Sequence, residues 1–229
     1  TFEMRIMAEL SDDTRLIDAF KKGVDVHSHT AALMFGLEMT NDFAKKYPNE
    51  RFAAKSINFG LMYGRGPTSL AKQLGISPER GREYLDKYFK SYPGVQKYLD
   101  RVSKEAVKKG WSTTPAGRKR WYAQPDPTDP DYTRKISHIQ RQAKNHPIQG
   151  TNADAIKYAL VFLPEKIKEK NVDASIILTV HDEVVCEVRE DQAEEWAVIQ
   201  SNEMMRAGQL FIKKVPVESK PFVSDVWEH

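Results

Sequence analysis

The stretch from Ser77 to Gly110 constrains the fold more than any other, because its punctuation leaves room for one arrangement. Ser77-Pro78 supplies a helix cap followed by a first-turn proline, and Leu85, Tyr88, Phe89 and Tyr92 recur at helical spacing as a buried stripe. Pro93 then opens a second helix carrying Val95, Leu99, Val102 and Val107, which Gly110 closes. Two helices of this length joined at Tyr92-Pro93 form a hairpin, and a chain containing it is built largely from packed helices.

The flanking segments extend this reading. Thr1–Leu10 has weak β character and is expected to be a strand, and Asp12–Lys22 a short helix with Leu16, Ile17 and Phe20 on one face. Asp25 is placed to cap a helix running to about Leu37, with Gly36 weakening its end, and a third helix spans about Glu50 to Tyr63. Trp111–Tyr122, centred on Pro115-Ala116-Gly117, reads as a turn between short extended pieces. Gln124–Asp131 holds three Pro and three Asp and must be a loop. A helix is expected from Thr133 to about Asn145, stopped by Pro147; another follows Gly150, with a kink or restart at Pro164.

The period then changes. Ser175–Val180 and Val184–Val188 are β-rich and joined only by His181-Asp182-Glu183, a hairpin with its charge at the tip. A last helix, about Glu190–Arg206, precedes a segment of strand character, Val215–Val226. The sum is an α+β arrangement, mostly helical around a few strands.

Composition narrows the function classes. No apolar stretch approaches the ~20 residues that cross a bilayer, and Thr1–Leu10 is too charged for a secretory signal. These features lead us to expect a soluble protein and no membrane partner. Cys186 is the single cysteine, which excludes an internal disulfide framework and an all-cysteine zinc site. The net charge of +3 is unevenly spread: residues 101–144 hold eleven Lys or Arg against four acids, a net +7, leaving −4 for the remainder. That asymmetry suits a surface facing a polyanion, and equally a solvated basic face.

Three constellations could carry chemistry. Arg51, Lys55, Phe59 and Tyr63 follow one another every four residues along one side of a helix. Two cations followed by two rings could grip a phosphate chain and stack on a base; the same pattern fits core rings beside solvated cations. Gly60 and Gly64, each costing roughly 1 kcal/mol inside a helix, call for a close approach of ligand or backbone. His181-Asp182-Glu183 concentrates carboxylates at a tight turn, where a hard divalent cation such as magnesium or manganese would offset their repulsion; a solvated turn is the alternative. Strand geometry sends Asp182 and Glu183 to opposite faces, so one strong ligand is expected. Arg141, Asn145 and Gln149 line one helix face, suited to nucleic-acid edges and phosphates or simply to solvent.

In this order, these pieces resemble the family A, DNA polymerase I-like, DNA polymerases. Arg51 to Gly64 is similar to the fingers-helix motif R-x-x-x-K-x-x-x-F/Y-G-x-x-Y-G, and Thr179-Val180-His181-Asp182-Glu183 to the palm motif with its H-D-E turn. Phe2-Glu3-Met4-Arg5 resembles the second half of the first palm motif, D-Y-S-x-x-E-x-R. Asn145-His146-Pro147-Ile148-Gln149-Gly150-Thr151 resembles the N-x-P-x-Q-G-T segment. The similarity covers nearly the whole chain, including Asp25–Ala31 and Trp227.

The resemblance implies a right-hand polymerase architecture, with helical fingers on a small antiparallel palm sheet: residues 1–25 palm, 26–135 fingers, and 136–229 palm with the metal-binding hairpin. It implies template-directed addition of deoxynucleotides to a primer 3′ end by two-metal phosphoryl transfer, with two Mg2+ ions or Mn2+ as substitute. Arg51, Lys55 and His27 would hold the triphosphate, Lys55 protonating the departing pyrophosphate. Phe59 would stack beside the nucleotide, Tyr63 would occupy the template-base position, and Glu3 would exclude a ribose 2′-hydroxyl. Arg141, Asn145, Gln149 and His181 would contact primer–template DNA. Asp182 would be the catalytic metal ligand and Glu183 an accessory carboxylate.

The family's leading metal-binding Asp would lie three positions before Thr1. We therefore expect an N-terminal polymerase segment or chain to supply that Asp, the thumb and any exonuclease domain, and the present chain alone to be inactive in primer extension. A proteolytic piece, one half of a polymerase encoded in two parts, or a spliced chain would each begin in this way. The expected location is the cytoplasm of a bacterial or phage-infected cell, or an organelle after processing. A phage-type single-subunit RNA polymerase and a non-catalytic DNA-binding subunit are the competing classes. Glu3 and Phe59 favour deoxynucleotides over the first, and intact Asp182, Lys55 and Arg51 favour catalysis over the second.

Overall fold

A computed structural model describes residues 2–227. Helix α1 (Phe2–Ser11) stands where a strand is expected. Met4, Ile6, Met7 and Ala8 are all buried, because α1 packs against later helices on more than one side. A helix buried on several sides, Arg5 and Ser11 included, shows neither strand alternation nor a single apolar stripe, and its period is unreadable. Thr1 lies outside the described residues.

The capping residues set the next elements. Asp13 accepts from the Leu16 amide to start α2 (Thr14–Lys21), and Asp25 accepts from the Ser28 amide to start α3 (Val26–Phe35), which Gly36 ends at φ 65°. After a single-turn helix α4 (Phe43–Lys46), α5 (Pro48–Met62) carries the fingers-like motif, and α6 (Pro67–Leu74) follows it. The expected hairpin is α7 (Pro78–Ser91) and α8 (Pro93–Lys109), capped by Ser77 and closed by Gly110 at φ 79°. Tyr88, Tyr92, Val95 and Leu99 sit in the main core with Met4, Leu16, Ala31, Ile57 and Met62.

Strands β1 (Trp111–Thr113) and β2 (Lys119–Trp121) form a small antiparallel ribbon. Helix α9 then runs unbroken from Tyr132 to Lys170. Here expectation and structure part: Pro147 does not stop the helix and Pro164 does not restart it. An interior proline costs about 3 kcal/mol. Against this, Ala143, Pro147, Ile148, Ala155, Ala159 and Leu163 are all buried, and the Thr151 hydroxyl donates to the Pro147 carbonyl at 2.5 Å. Burial along both halves of the helix outweighs the local penalty.

Strands β3 (Ala174–Val180) and β4 (Glu183–Val188) form the second antiparallel pair, with Val180 opposite Glu183, so only His181 and Asp182 lie in the turn. Helix α10 (Ala193–Gln209) covers the pair through Trp196, which packs with Leu163 and Val184. The expected strand at 215–226 is absent among the described residues. Val215 and Val217 are buried alternately, as in a strand, but the segment lies over α1 and α10 without a pairing partner. Buried Arg5 holds it by donating to the Pro216 carbonyl and pairing with Glu218 at 2.8 Å.

Candidate active site

Two neighbourhoods gather the residues singled out by sequence. The first lies where α3 meets α5. The Asp25 carboxylate, already capping α3, accepts from Arg51 Nε at 2.8 Å and from the Ser28 hydroxyl at 2.6 Å. Partial burial opposes its ionisation, but the bonds from Arg51 and Ser28 prevail and hold the carboxyl at about 2. His27 is 4% exposed. Its burial disfavours the imidazolium; Asp25 opposes that effect and the Arg51 and Lys55 charges add to it, leaving the ring at about 4. The ring stands 5.5 Å from that of Phe59, and Asn58 Nδ2 donates to its Nδ1 at 3.0 Å. Lys55 is exposed on the same side of α5. Arg51, Lys55 and Phe59 thus line one cationic and aromatic side of α5 over a buried, neutral His27.

The second neighbourhood is where the end of α5 meets α1 and α9. The Tyr63 hydroxyl donates towards Glu3 Oε2 at a long 3.5 Å. Burial, and secondarily the negative charge of Asp182, raise the Glu3 carboxyl above its ordinary range. Burial and then Glu3 raise the Tyr63 phenol, and Gln149 faces the same hydroxyl. Asn145 donates to the Met62 carbonyl at 3.0 Å, fastening α9 to the last turn of α5. Gly64 explains itself: at φ 67°, a Cβ placed there would stand 2.9 Å from the Arg141 carbonyl oxygen. The close approach is by backbone, as one of the two sequence readings required.

The β3–β4 turn presents His181 and Asp182 to solvent, His181 at φ 54°. The favoured two-residue hairpin turns need positive φ at their first central position. Glu183 is the first residue of β4, and its Oε1 accepts from Trp227 Nε1 at 2.9 Å. Asp182 and Glu183 do not form a joint chelate with a third ligand: among the described residues, no group of three or more His, Cys, Asp or Glu is clustered for a metal ion. The donor set present fits one carboxylate ligand of an oxygen-preferring cation and no more.

Sequence reasoning missed two residues that build this site. Asp25 reads as a cap but is also the anchor of Arg51. Asn58 lies inside the quoted motif without a role, yet bridges His27 to the Thr30 hydroxyl at 3.2 Å. The adjacency of Asn58 to Phe59 was a signal, because a buried amide in a helix interior requires partners.

The profile of DNA polymerase family A matches residues 1–229. The chain belongs to DNA polymerase family A. Among curated relatives, DNA polymerase I of Pseudomonas aeruginosa is 42% identical over 193 residues, covering 84% of this chain and 20% of that protein. DNA polymerase I of Caldicellulosiruptor bescii is 40% identical over 215 residues, covering 94% of this chain and 24% of the relative. The thermostable DNA polymerase I of Thermus filiformis is 37% identical, covering 98% of this chain and 26% of the relative. The chain spans a fifth to about a quarter of the length of these relatives. Among solved structures, the POL domain of Pol1 from M. smegmatis, in complex with DNA primer–template and dNTP, superposes with a TM-score of 0.84 at 35% identity, covering 95% of this chain and 37% of that one. Family A polymerases are generally metal-dependent; the mostly helical α+β architecture with small antiparallel sheets agrees with the polymerase-domain neighbour.

Proposed function

We propose that this chain is the fingers and part of the palm of a template-directed DNA polymerase that adds deoxynucleotides to a primer 3′ end. Residues 1–25 and 136–229 belong to the palm and 26–135 to the fingers. The observation that carries this reading is the meeting of Glu3 and Tyr63, from α1 and the end of α5, 60 residues apart in sequence. Such a contact puts the proposed gate residue beside the end of the fingers helix, as one nucleotide site requires.

Arg51 and Lys55 grip the incoming triphosphate, with the neutral His27 ring offering a hydrogen bond beside them. Lys55 donates a proton to the departing pyrophosphate, and Arg51 neutralises the charge that develops there. Phe59 stacks by the nucleotide. Tyr63 holds the place of the template base until the fingers close, the induced-fit route to specificity. Glu3 blocks a 2′-hydroxyl. Arg141, Asn145, Gln149 and His181 contact the primer–template. A pair of magnesium ions, replaceable by manganese, would polarise the attacking and leaving oxygens. Asp182 would hold them, with Glu183 accessory. Because the chain spans only a fifth to about a quarter of its curated relatives, an N-terminal polymerase segment or chain would supply the second essential carboxylate, the thumb and any proofreading domain, and the 229 residues alone should not extend primers.

The test is Asp182→Ala in the complete protein. Nucleotide incorporation should vanish while the Kd for primer–template stays within about twofold. Retention of incorporation would refute the reading, as would extension by the isolated 229-residue chain. Preference for ribonucleotides in the unmodified enzyme would point instead to an RNA polymerase.

A further inference from the structure

The β1–β2 ribbon has two unlike faces. On one, Ser112 and Tyr122 point into the protein: the Ser112 hydroxyl lies 2.7 Å from that of Tyr122 and 2.8 Å from His146 Nδ1. Nearer the turn, Thr114 donates to Asp154 at 2.7 Å and Arg118 Nε to the same carboxylate at 2.8 Å. A two-stranded ribbon is marginal by itself; these bonds clamp it along two turns of α9. The other face carries Trp111, Lys119 and Trp121, as alternation along a strand requires.

That outer face is unusual for a protein surface. Trp111 stands opposite Trp121 across the strands, their rings 6.2 Å apart, and Trp121 is 68% exposed. The Lys119 ammonium lies 4.5 Å from the centre of the Trp111 ring and 5.6 Å from that of Trp121, while Lys109 approaches Trp111 from the end of α8 at 5.7 Å. From Ala106 to Pro125 there are five Lys or Arg and no acid, two of the five being paired with acids outside that stretch, Lys109 with Glu105 at 2.8 Å and Arg118 with Asp154. Trp121 also borders a groove of about 510 Å³ that continues to His138 and Gln142 on α9. The groove's two acids are engaged: Asp126 accepts from the Thr128 amide and hydroxyl, and Asp129 from the Asp131 amide and Lys135.

We propose that this face is a stacking platform for unpaired nucleotides of the template strand. The exposed Trp121 indole, backed by the half-buried Trp111, offers a flat surface to a base that has lost its neighbours, and cations beside it track the phosphates. A paired duplex keeps its bases stacked internally and has no use for such rings. The platform and the residues assigned to primer–template, Arg141, Asn145 and Gln149, are joined through the single helix α9, whose Gln142 lines the groove, and the strand's identity rests on the polymerase reading. The clamp to α9 keeps the rings in position when no strand is bound.

The experiment uses the full-length polymerase and its Trp121→Ala and Lys119→Glu variants. Kd is measured for primer–templates with one-nucleotide and ten-nucleotide 5′ overhangs, and for oligothymidylate alone. The unmodified protein should bind the long overhang more tightly, and Trp121→Ala should lose about tenfold of that gain. Its affinity for the one-nucleotide overhang and its thermal midpoint should not change. Lys119→Glu should give the same selective loss, which guards against a packing effect of the indole deletion. Equal overhang dependence in all three proteins overturns the platform, as does an equal loss on both substrates or binding to anionic vesicles in place of oligonucleotides. Should the unmodified protein bind oligothymidylate through Trp121 yet incorporate no nucleotide, the polymerase reading fails while a single-strand platform stands.

Discussion

The Asn58 amide nitrogen lies 3.0 Å from His27 Nδ1 and 3.2 Å from the Thr30 hydroxyl, and it fixes which nitrogen of His27 carries the proton. The Thr30 hydroxyl spends its one proton on the Val26 carbonyl at 2.7 Å, so whatever else faces its oxygen must donate. That turns the amide NH2 of Asn58 towards Thr30 and, at the same time, towards His27. It also makes Tyr92, 3.0 Å from Thr30, a donor, leaving its oxygen to accept from His29 Nδ1 at 3.1 Å. His27 therefore accepts at Nδ1 and keeps its proton at Nε2.

A neutral His27 has a consequence for acid stability. Its folded-state value of about 4 lies below the ordinary 6.5, so the unfolded chain takes up the proton first. The contribution is complete above pH 6.5 and is lost as pH falls towards 4, on the order of 3 kcal/mol at most. Burial lowers His29 and His146 in the same direction. Thermal midpoints of the protein should thus drop between pH 7 and 4.5, and His27→Gln should show a shallower drop. Parallel curves would contradict the assignment.

The Arg51–Asp25 pair predicts a trade in nucleotide binding. In the proposed role Arg51 would have to leave Asp25 to hold a triphosphate, and Asp25 stays ionised at any working pH because its carboxyl sits near 2. Asp25→Ser retains an N-cap for α3 but releases the guanidinium. The dNTP KM should fall by up to about fivefold, the worth of a partly exposed ion pair. Steady-state kinetics on the complete enzyme would read it, and a raised KM would mean that Asp25 orients Arg51 productively.

Glu3 is half-buried against Tyr63, with a carboxyl raised by burial and by Asp182. Removing it opens space without disturbing the α1 core. Glu3→Ala should raise ribonucleotide relative to deoxynucleotide kcat/KM by about tenfold or more. Single-nucleotide incorporation in the complete enzyme measures the ratio.

The two glycines of the fingers motif should respond oppositely to alanine. At Gly64 the positive φ and the Arg141 carbonyl, 2.9 Å from the new Cβ, make Ala costly, roughly 1–3 kcal/mol. At Gly60 the nearest atom would be the Arg65 side chain at 3.5 Å, so Ala fits and improves helix propensity by up to about 1 kcal/mol. Denaturant unfolding of Gly64→Ala and Gly60→Ala should show a loss and a small gain.

Much of the fold and half of the site were legible in the sequence, because they are governed by local chemistry. Asp25, Ser77-Pro78, Pro93 and Gly110 mark ends where caps and backbone dihedrals decide within a few residues. The spacing of Arg51, Lys55 and Phe59 and the charged hairpin tip were readable for the same reason. Tertiary structure alone decided the rest. It made α1 a helix by burying it on several sides, carried α9 through Pro147, and left 215–227 extended without a strand partner. It also brought Glu3 to Tyr63 and Asp25 to Arg51, across 60 and 26 residues. Local signals are worth about 1–3 kcal/mol each, and burial of a single apolar side chain matches that. Where several side chains are buried together, packing sets the outcome and the local code yields.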